Sequence, residues 1–426
     1  MKIPKDIIVD PARNTAYVVP AVALSLFVFA YSIRFGQISI LAFYAVWFLP
    51  LVVAPRILLV RPWAVALLLI VPGVFAASTL WSDASATTLR ASIQYGTTVV
   101  CALIAARIVS VPNLALGGTI GGLLVLLYSA ANGGYSFDYI DGSYAFNGAF
   151  SSKNQLGYYA TLSILFASSL VWGFRSRPLL YPLAAAVTVL GIVMLLMSNS
   201  ATSLLSAFAA FGAIALAGTL PRLAPGPRRA AVTLVLSGGV AMGLAAYRLG
   251  AFDAVLGAFG KDSTLTGRTY LWNQALTFGA EQPFLGIGYS AFWVRGRPEA
   301  ETLWETFYIT GRTGFHFHNL LIETYVGTGL LGLALVAALC VLLFVLPISA
   351  TLGPAPDGSV MLCTGLSVLF LVRSVAEVDF VTPYTAGTFL VPFIILYLTD
   401  RSAVLGRAVR RARAVRTAGR LPEFAR

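Results

Sequence analysis

The chain has 426 residues, 58% of them apolar and only 11% charged, with a formal net charge of +12. Globular domains carry roughly 45–50% apolar and about 25% charged residues, so this composition excludes a soluble enzyme, a disordered chain and a disulfide scaffold. What remains is an all-α polytopic membrane protein.

Charge-free windows of about 19 residues place membrane-spanning helices near 16–33, 38–54, 63–81, 93–109, 114–131, 155–173, 178–197, 200–220, 231–249, 319–346, 359–375 and 381–399, about twelve in all. They form a single bundle over 1–400, followed by a basic tail over 401–426. The start of the chain resembles a signal peptide, but so many spans follow that 18–33 reads as the first of them. Cys101, Cys340 and Cys363 are odd in number and lie in apolar runs, which suits small core residues rather than a disulfide framework.

Lys2, Lys5, Arg13, Arg56, Arg61, Arg107, Arg175, Arg177, Arg222, Arg228 and Arg229 fall on the same side as the tail arginines, so the positive-inside rule puts both termini in the cytoplasm. Two loops, about 132–154 and 250–318, then face outward, the second being a large periplasmic loop before the third-last helix. The tail suits anionic lipid at the inner surface. Without interleaved aromatics it does not suggest a nucleic-acid partner. Arg373, Glu377 and Asp379 form the sole ionisable cluster near a span, too few for a proton-coupled carrier.

Candidate chemistry begins with Lys153 and Asn154 at the start of the sixth span, a cation and an amide available to an anion or a sugar hydroxyl. A plain membrane-flanking lysine is the alternative. Further on, Thr266 is a candidate cap for a surface helix that places Leu271, Ala275 and Leu276 on one side. Arg268 in its first turn adds a bidentate fork to the positive end of the helix dipole, a setting for phosphate or for a snorkelling side chain.

The stretch Pro283–Trp293 combines glycines with aromatics, as a re-entrant or surface-lying loop does, and no strand precedes it to make a dinucleotide fingerprint. Arg295, Arg297 and Arg312 follow, each either a contact for an anionic substrate or a solvated charge. His316 and His318 are the two histidines of the chain, and they run into a long apolar helix, 320–346, bearing Gly327, Gly329 and Gly332. A helix N-terminus lowers a histidine pKa and leaves the neutral ring able to act as general base. Interfacial aromatics or metal ligands are the other readings, although two histidines with no evident third ligand make a poor zinc site. The glycines suit close helix packing, and the length of the helix predicts tilt or projection beyond the bilayer.

Taken together, these stretches resemble the O-antigen ligase and polymerase superfamily of bacterial membrane glycosyltransferases. The matching residues are Gly148-x-Phe150-x-x-Lys153-Asn154-x-x-Gly157, then Gly267-Arg268-x-x-x-Trp272 leading to Pro283-x-x-Gly286-x-Gly288, and His318-Asn319 ahead of the glycine-bearing helix. The likeness covers roughly 145–395, is strongest over 267–332, and through Lys153-Asn154 and Gly288-Tyr289-x-x-Phe292-Trp293 is most similar to the exopolysaccharide polymerase branch. One departure is Ser198-Asn199-Ser200-Ala201-Thr202, with alanine where many ligases carry arginine.

The resemblance implies a GT-C-like fold in the bacterial cytoplasmic membrane. Such a protein moves a glycan from an undecaprenyl-pyrophosphate donor to a glycan or lipid acceptor on the periplasmic side, without a metal or other cofactor. Arg268 would hold the pyrophosphate and His318 would deprotonate or orient the acceptor hydroxyl. Lys153, Asn154, Trp272, Arg312 and Asn319 would line the substrate site. Polymerisation of repeat units is the first expectation, ligation of a finished glycan to lipid A core or another acceptor the second, and flipping of a lipid-linked sugar the third. Membrane lipid, a chain-length regulator and other envelope-assembly proteins are the expected partners.

Overall fold

The computed structural model describes residues 4–138, 142–249 and 267–418. Among these the chain forms fourteen helices and one two-stranded hairpin. The helices are α1 (Asp6–Val9), α2 (Thr15–Val53), α3 (Pro62–Ala77), α4 (Ser85–Ile108), α5 (Val111–Asn132), α6 (Lys153–Trp172), α7 (Tyr181–Met197), α8 (Ala201–Thr219), α9 (Pro225–Arg248), α10 (Arg268–Glu281), α11 (Pro298–Thr306), α12 (Leu320–Leu352), α13 (Gly358–Ser374) and α14 (Ala386–Ala418). The hairpin pairs β1 (Gly134–Asp138) with β2 (Ser143–Gly148) inside the first loop expected to face outward.

Nine helices among the described residues are long and apolar enough to cross a membrane. The fold is therefore that of an all-α polytopic membrane protein. The two expected spans at 16–33 and 38–54 are the limbs of α2, which doubles back at Gly36 (φ 61°). Phe29 meets Phe43 at 5.1 Å between ring centroids, and Trp47 Nε1 donates to Ser25 Oγ at 2.8 Å, both pairs being centred on that glycine. Helix α4 starts at Ser85, well before the expected boundary at 93, because its polar first turns lie outside any apolar window.

Helix α6 stands at the centre, packed against α5, α7, α8 and α13, with every residue from Leu156 to Leu170 buried. It is rich in serine and threonine hydroxyls, which the helix backbone satisfies: Thr161 donates to the Gly157 carbonyl at 2.8 Å and Ser163 to the Tyr159 carbonyl at 2.7 Å. The α5 glycines allow close approach, since a Cβ on Gly118 would fall 2.4 Å from the Phe166 ring.

The long helix α12 is not a single rod. It breaks at Thr328 and Gly329, where Gly329 takes φ 61° and ψ −161°. A broken helix at membrane depth requires other partners for its freed backbone groups, and the Pro283–Gly288 stretch supplies them. Leu330 N–H donates to the Pro283 carbonyl (2.8 Å) and Leu331 N–H to that of Phe284 (3.2 Å). In the other direction, Ile287 N–H donates to the Val326 carbonyl (3.2 Å) and Gly288 N–H to that of Gly327 (2.9 Å). A Cβ on Gly329 would lie 2.2 Å from the Phe284 backbone, and one on Gly286 2.6 Å from Gly327. These glycines therefore form a backbone joint rather than a helix-packing stripe.

Candidate active site

Arg268 opens α10, and the residue before it, Gly267, sits in the left-handed region at φ 77° with no side-chain cap bond. Thr266, the expected cap, lies outside the described residues. Leu271 and Ala275 are fully buried against the aromatic cluster around Phe292, Trp304 and Phe317, whereas Leu276 is 48% exposed and falls off the expected stripe. Gly279 meets the Tyr325 ring, which seats α10 on α12.

Two side chains hold the backbone of the His316–His318 loop. Trp272 Nε1 donates to the Phe317 carbonyl at 2.8 Å, and Glu323 Oε2 accepts the Phe317 N–H at 2.8 Å. With Phe317 fixed on both sides and its ring buried, the flanking imidazoles come together at 4.3 Å between centroids. His318 takes φ +51°, a strained position for a residue with a side chain. Its N–H donates to His316 Nδ1 at 3.1 Å. Asn319 caps α12 by accepting from the Leu321 and Ile322 N–H groups, and its Nδ2 donates to the Val375 carbonyl. That bond ties the histidine loop to the α13–α14 turn.

Glu377, in that turn and only 6% exposed, joins the elements. Its Oε1 accepts from Asn154 Nδ2 at 2.7 Å and from Arg268 Nη2 at 3.1 Å. Its Oε2 lies 3.6 Å from His318 Nδ1 and 3.9 Å from His316 Nε2. Burial favours the neutral acid, but His318, Arg268 and Arg373 together outweigh it and hold the carboxyl well below its usual range. His316 moves the other way: burial, then the neighbouring His318 and the arginines, push it down to about 3, so it is neutral at pH 7.

A second layer supports the carboxylate. Arg373, 1% exposed, grips Asp379 with Nε at 2.5 Å and Nη2 at 3.2 Å, lies 4.3 Å above the Tyr158 ring, and donates from Nη1 to Ser203 Oγ at 3.3 Å. Ser200 Oγ donates to Asn154 Oδ1 at 2.8 Å, which orients the amide so that its Nδ2 faces Glu377. The first turn of α8, where Ala201 departs from the expected arginine, thus receives a guanidinium from α13 instead.

Of the residues singled out from sequence, Arg268, His318 and Asn154 converge on Glu377, and Lys153 precedes Asn154 as the first residue of α6. Trp272 and Asn319 touch the histidine loop and hold its shape. Arg312 lies elsewhere: it pairs with Glu301 at 2.9 Å and is 45% exposed. Arg297 pairs with Asp83 at 3.0 Å and Glu299 at 3.2 Å. Sequence reasoning missed Glu377, Arg373 and Glu323 as parts of the site. The run 373–379 carried the clue, since acids and an arginine at a span end need partners, and the histidine loop provides them.

The structure also supplies the third donor that the histidine pair lacked in the sequence, because atoms of His316, His318 and Glu377 lie within 4.8 Å of one another. The hydrogen bonds assign these atoms differently. A neutral His316 that accepts at Nδ1 carries its proton on Nε2, the nitrogen facing the carboxylate, and Arg268 already holds the other carboxylate oxygen. The trio therefore reads as a proton-handling cluster backed by a cation.

The family model described as O-antigen ligase matches residues 186–337, which include Arg268 and both histidines. Over 423 residues the chain is 43% identical to the exopolysaccharide production protein ExoQ of Rhizobium meliloti (strain 1021), covering 98% of this chain and 95% of that protein. The chain belongs to the O-antigen ligase and polymerase superfamily, in its exopolysaccharide branch.

Proposed function

We propose that this membrane enzyme polymerises glycan repeat units, taking each from an undecaprenyl-pyrophosphate donor and joining it to a sugar hydroxyl on the periplasmic side of the bacterial cytoplasmic membrane. The main support is a single carboxylate, Glu377, held ionised between the Arg268 guanidinium and the His318 imidazole. With Nδ1 of His318 turned to Glu377, Nε2 is left to accept the proton of the acceptor hydroxyl, and the carboxylate stabilises the imidazolium that forms.

The acceptor oxygen then bonds to the anomeric carbon as the bond from that carbon to the pyrophosphate oxygen breaks. The bonding electrons leave with the pyrophosphate. Arg268 has one N–H on Glu377 and others for the developing anion, in the first turn of α10. Asn154, oriented by Ser200, fixes the carboxylate between them. The positive-inside pattern of the span ends supports a periplasmic site, and the name of the ExoQ relative supports an exopolysaccharide product.

The test is the lipid-linked glycan that accumulates in the native cell carrying His318→Ala, with membrane insertion checked. Loss of a positioned base costs about 10²–10⁴ in rate. Single repeat units on the outer leaflet are expected. Long chains still on the carrier would make the enzyme a ligase of finished glycans, trapped cytoplasmic repeats would make it a flippase, and unchanged product would remove His318 from the chemistry.

A further inference from the structure

The hairpin between α5 and α6 carries an aromatic face. In its register Tyr135 pairs with Phe146 and Phe137 with Tyr144, so all four rings project from one side of the two strands. The Tyr135 and Tyr144 rings are parallel to within 12° at 5.3 Å between centroids, and Tyr135 meets Phe146 at 5.1 Å. Phe146 is buried and roots this face in the cluster containing Leu126 and Leu156, whereas Tyr135, Phe137 and Tyr144 are 54%, 48% and 67% exposed. A contiguous exposed patch of this kind marks a binding surface more often than an accident of folding.

We infer that this face is a saccharide-stacking platform that holds the growing polysaccharide beside the reaction centre. The inference rests on the polymerase reading for the identity of its ligand. A pyranose ring offers a flat array of C–H bonds to the electron-rich face of an aromatic ring and hydroxyls at its rim. Tyr135 and Tyr144 match both features with parallel rings and phenolic groups. Continuity with the candidate site favours a glycan: β2 ends at Gly148, whose φ of +60° presses the turn against Ser129, and Ser152 then caps α6, which opens with Lys153 and Asn154. The platform's Tyr144 thus stands ten residues along the chain from the amide that contacts Glu377.

The full-length protein in nanodiscs, titrated by calorimetry with oligosaccharides of increasing length cut from the polysaccharide of the native strain, tests this. Wild type is expected to bind longer oligosaccharides more tightly. Tyr135→Ser/Tyr144→Ser should bind them about tenfold more weakly and yield shorter polymer in cells. Tyr135→Phe/Tyr144→Phe, which keeps the rings and controls for folding, should bind within about threefold of wild type. Wild-type affinity in the serine double variant overturns the platform, and where a reduced yield of inserted protein in cells accompanies that affinity, the rings are assigned to the bilayer interface instead. The polymerase reading fails separately: if His318→Ala cells accumulate long chains still on the carrier while the serine variant loses oligosaccharide binding, the platform stands and that reading falls.

Discussion

Asn154 and Glu377 are 223 positions apart in the chain and 2.7 Å apart in space. This one bond joins the start of the central helix α6 to the α13–α14 turn, and the same carboxylate then reaches Arg268 on α10 and the histidine loop ahead of α12. The site is therefore a meeting of helix ends and turns. Asn154 and Arg268 stand in the first turns of helices, and the histidine loop and the Glu377 turn are tied to them by side chains, as precise placement of a reacting hydroxyl requires.

Replacing Glu377 with glutamine keeps an oxygen for Asn154 and removes the charge. Arg268, 17% exposed, then loses its counterion in a largely buried setting. Breaking such a pair costs about 3–5 kcal/mol when the remaining charge is fully buried, and partial exposure of Arg268 puts the expected loss toward the lower end. Activity should drop by about 10²–10³, in line with loss of a preorganised electrostatic group. Thermal unfolding in detergent and a repeat-transfer assay check the two parts. Full activity in Glu377→Gln would remove the carboxylate from the mechanism.

His316 gives a pH prediction. Its folded pKa of about 3 lies below that of the unfolded chain, near 6.5, so between these values the unfolded state binds more protons. Its contribution is complete above pH 6.5 and declines as pH falls toward 3, by at most about 1.4 kcal/mol per pH unit. His316→Gln, which retains an acceptor for the His318 N–H, should flatten the decline of Tm between pH 7 and pH 4. Equal slopes in both proteins would mean that the ring is not held neutral.

Twelve apolar segments were legible because charge-free windows reveal span-length helices wherever the intervening loops are polar. The doubling back at Gly36 was legible for the same reason, since Arg34 and Gln37 interrupt the apolar run. The break at Gly329 was not, because a glycine that opens a helix and one that lets helices approach are identical in sequence. Glu377 and Glu323 were missed because their partners lie far away in the chain, on α6 and α10 for the one and beside Trp293 for the other. The hairpin was hidden by its two short strands, which read as ordinary loop.

Arg268 and Arg312 are both arginines of the same long loop, and the structure separates them. Arg268→Ala removes a cation beside the histidines and should reduce activity about 10²–10³-fold. Arg312→Ala breaks an ion pair with Glu301 at 45% exposure, a kind worth about 0–1 kcal/mol, and should leave the rate within about twofold. Measuring repeat transfer for both variants at matched expression is the check. A large loss for Arg312→Ala would mean that the loop rearranges to bring that side chain to substrate.

The joint in α12 predicts a folding defect away from every charged group. Gly329→Ala places a methyl 2.2 Å from the Phe284 backbone at a φ of +61°, so alanine meets both strain and collision. The Pro283–Gly288 stretch would have to withdraw, leaving the Leu330 and Leu331 N–H groups without their carbonyl partners. The histidine loop is built at the start of the same helix, so its alignment with Glu377 should loosen as well. Gly329→Ala is expected to insert poorly or lose most activity, whereas Gly212→Ala, with nothing within 4 Å of the added carbon, should be silent. Expression level, detergent stability and repeat transfer compared between these two alanines measure the effect. Normal behaviour of Gly329→Ala would show that α12 can run straight and that the joint does not set the site.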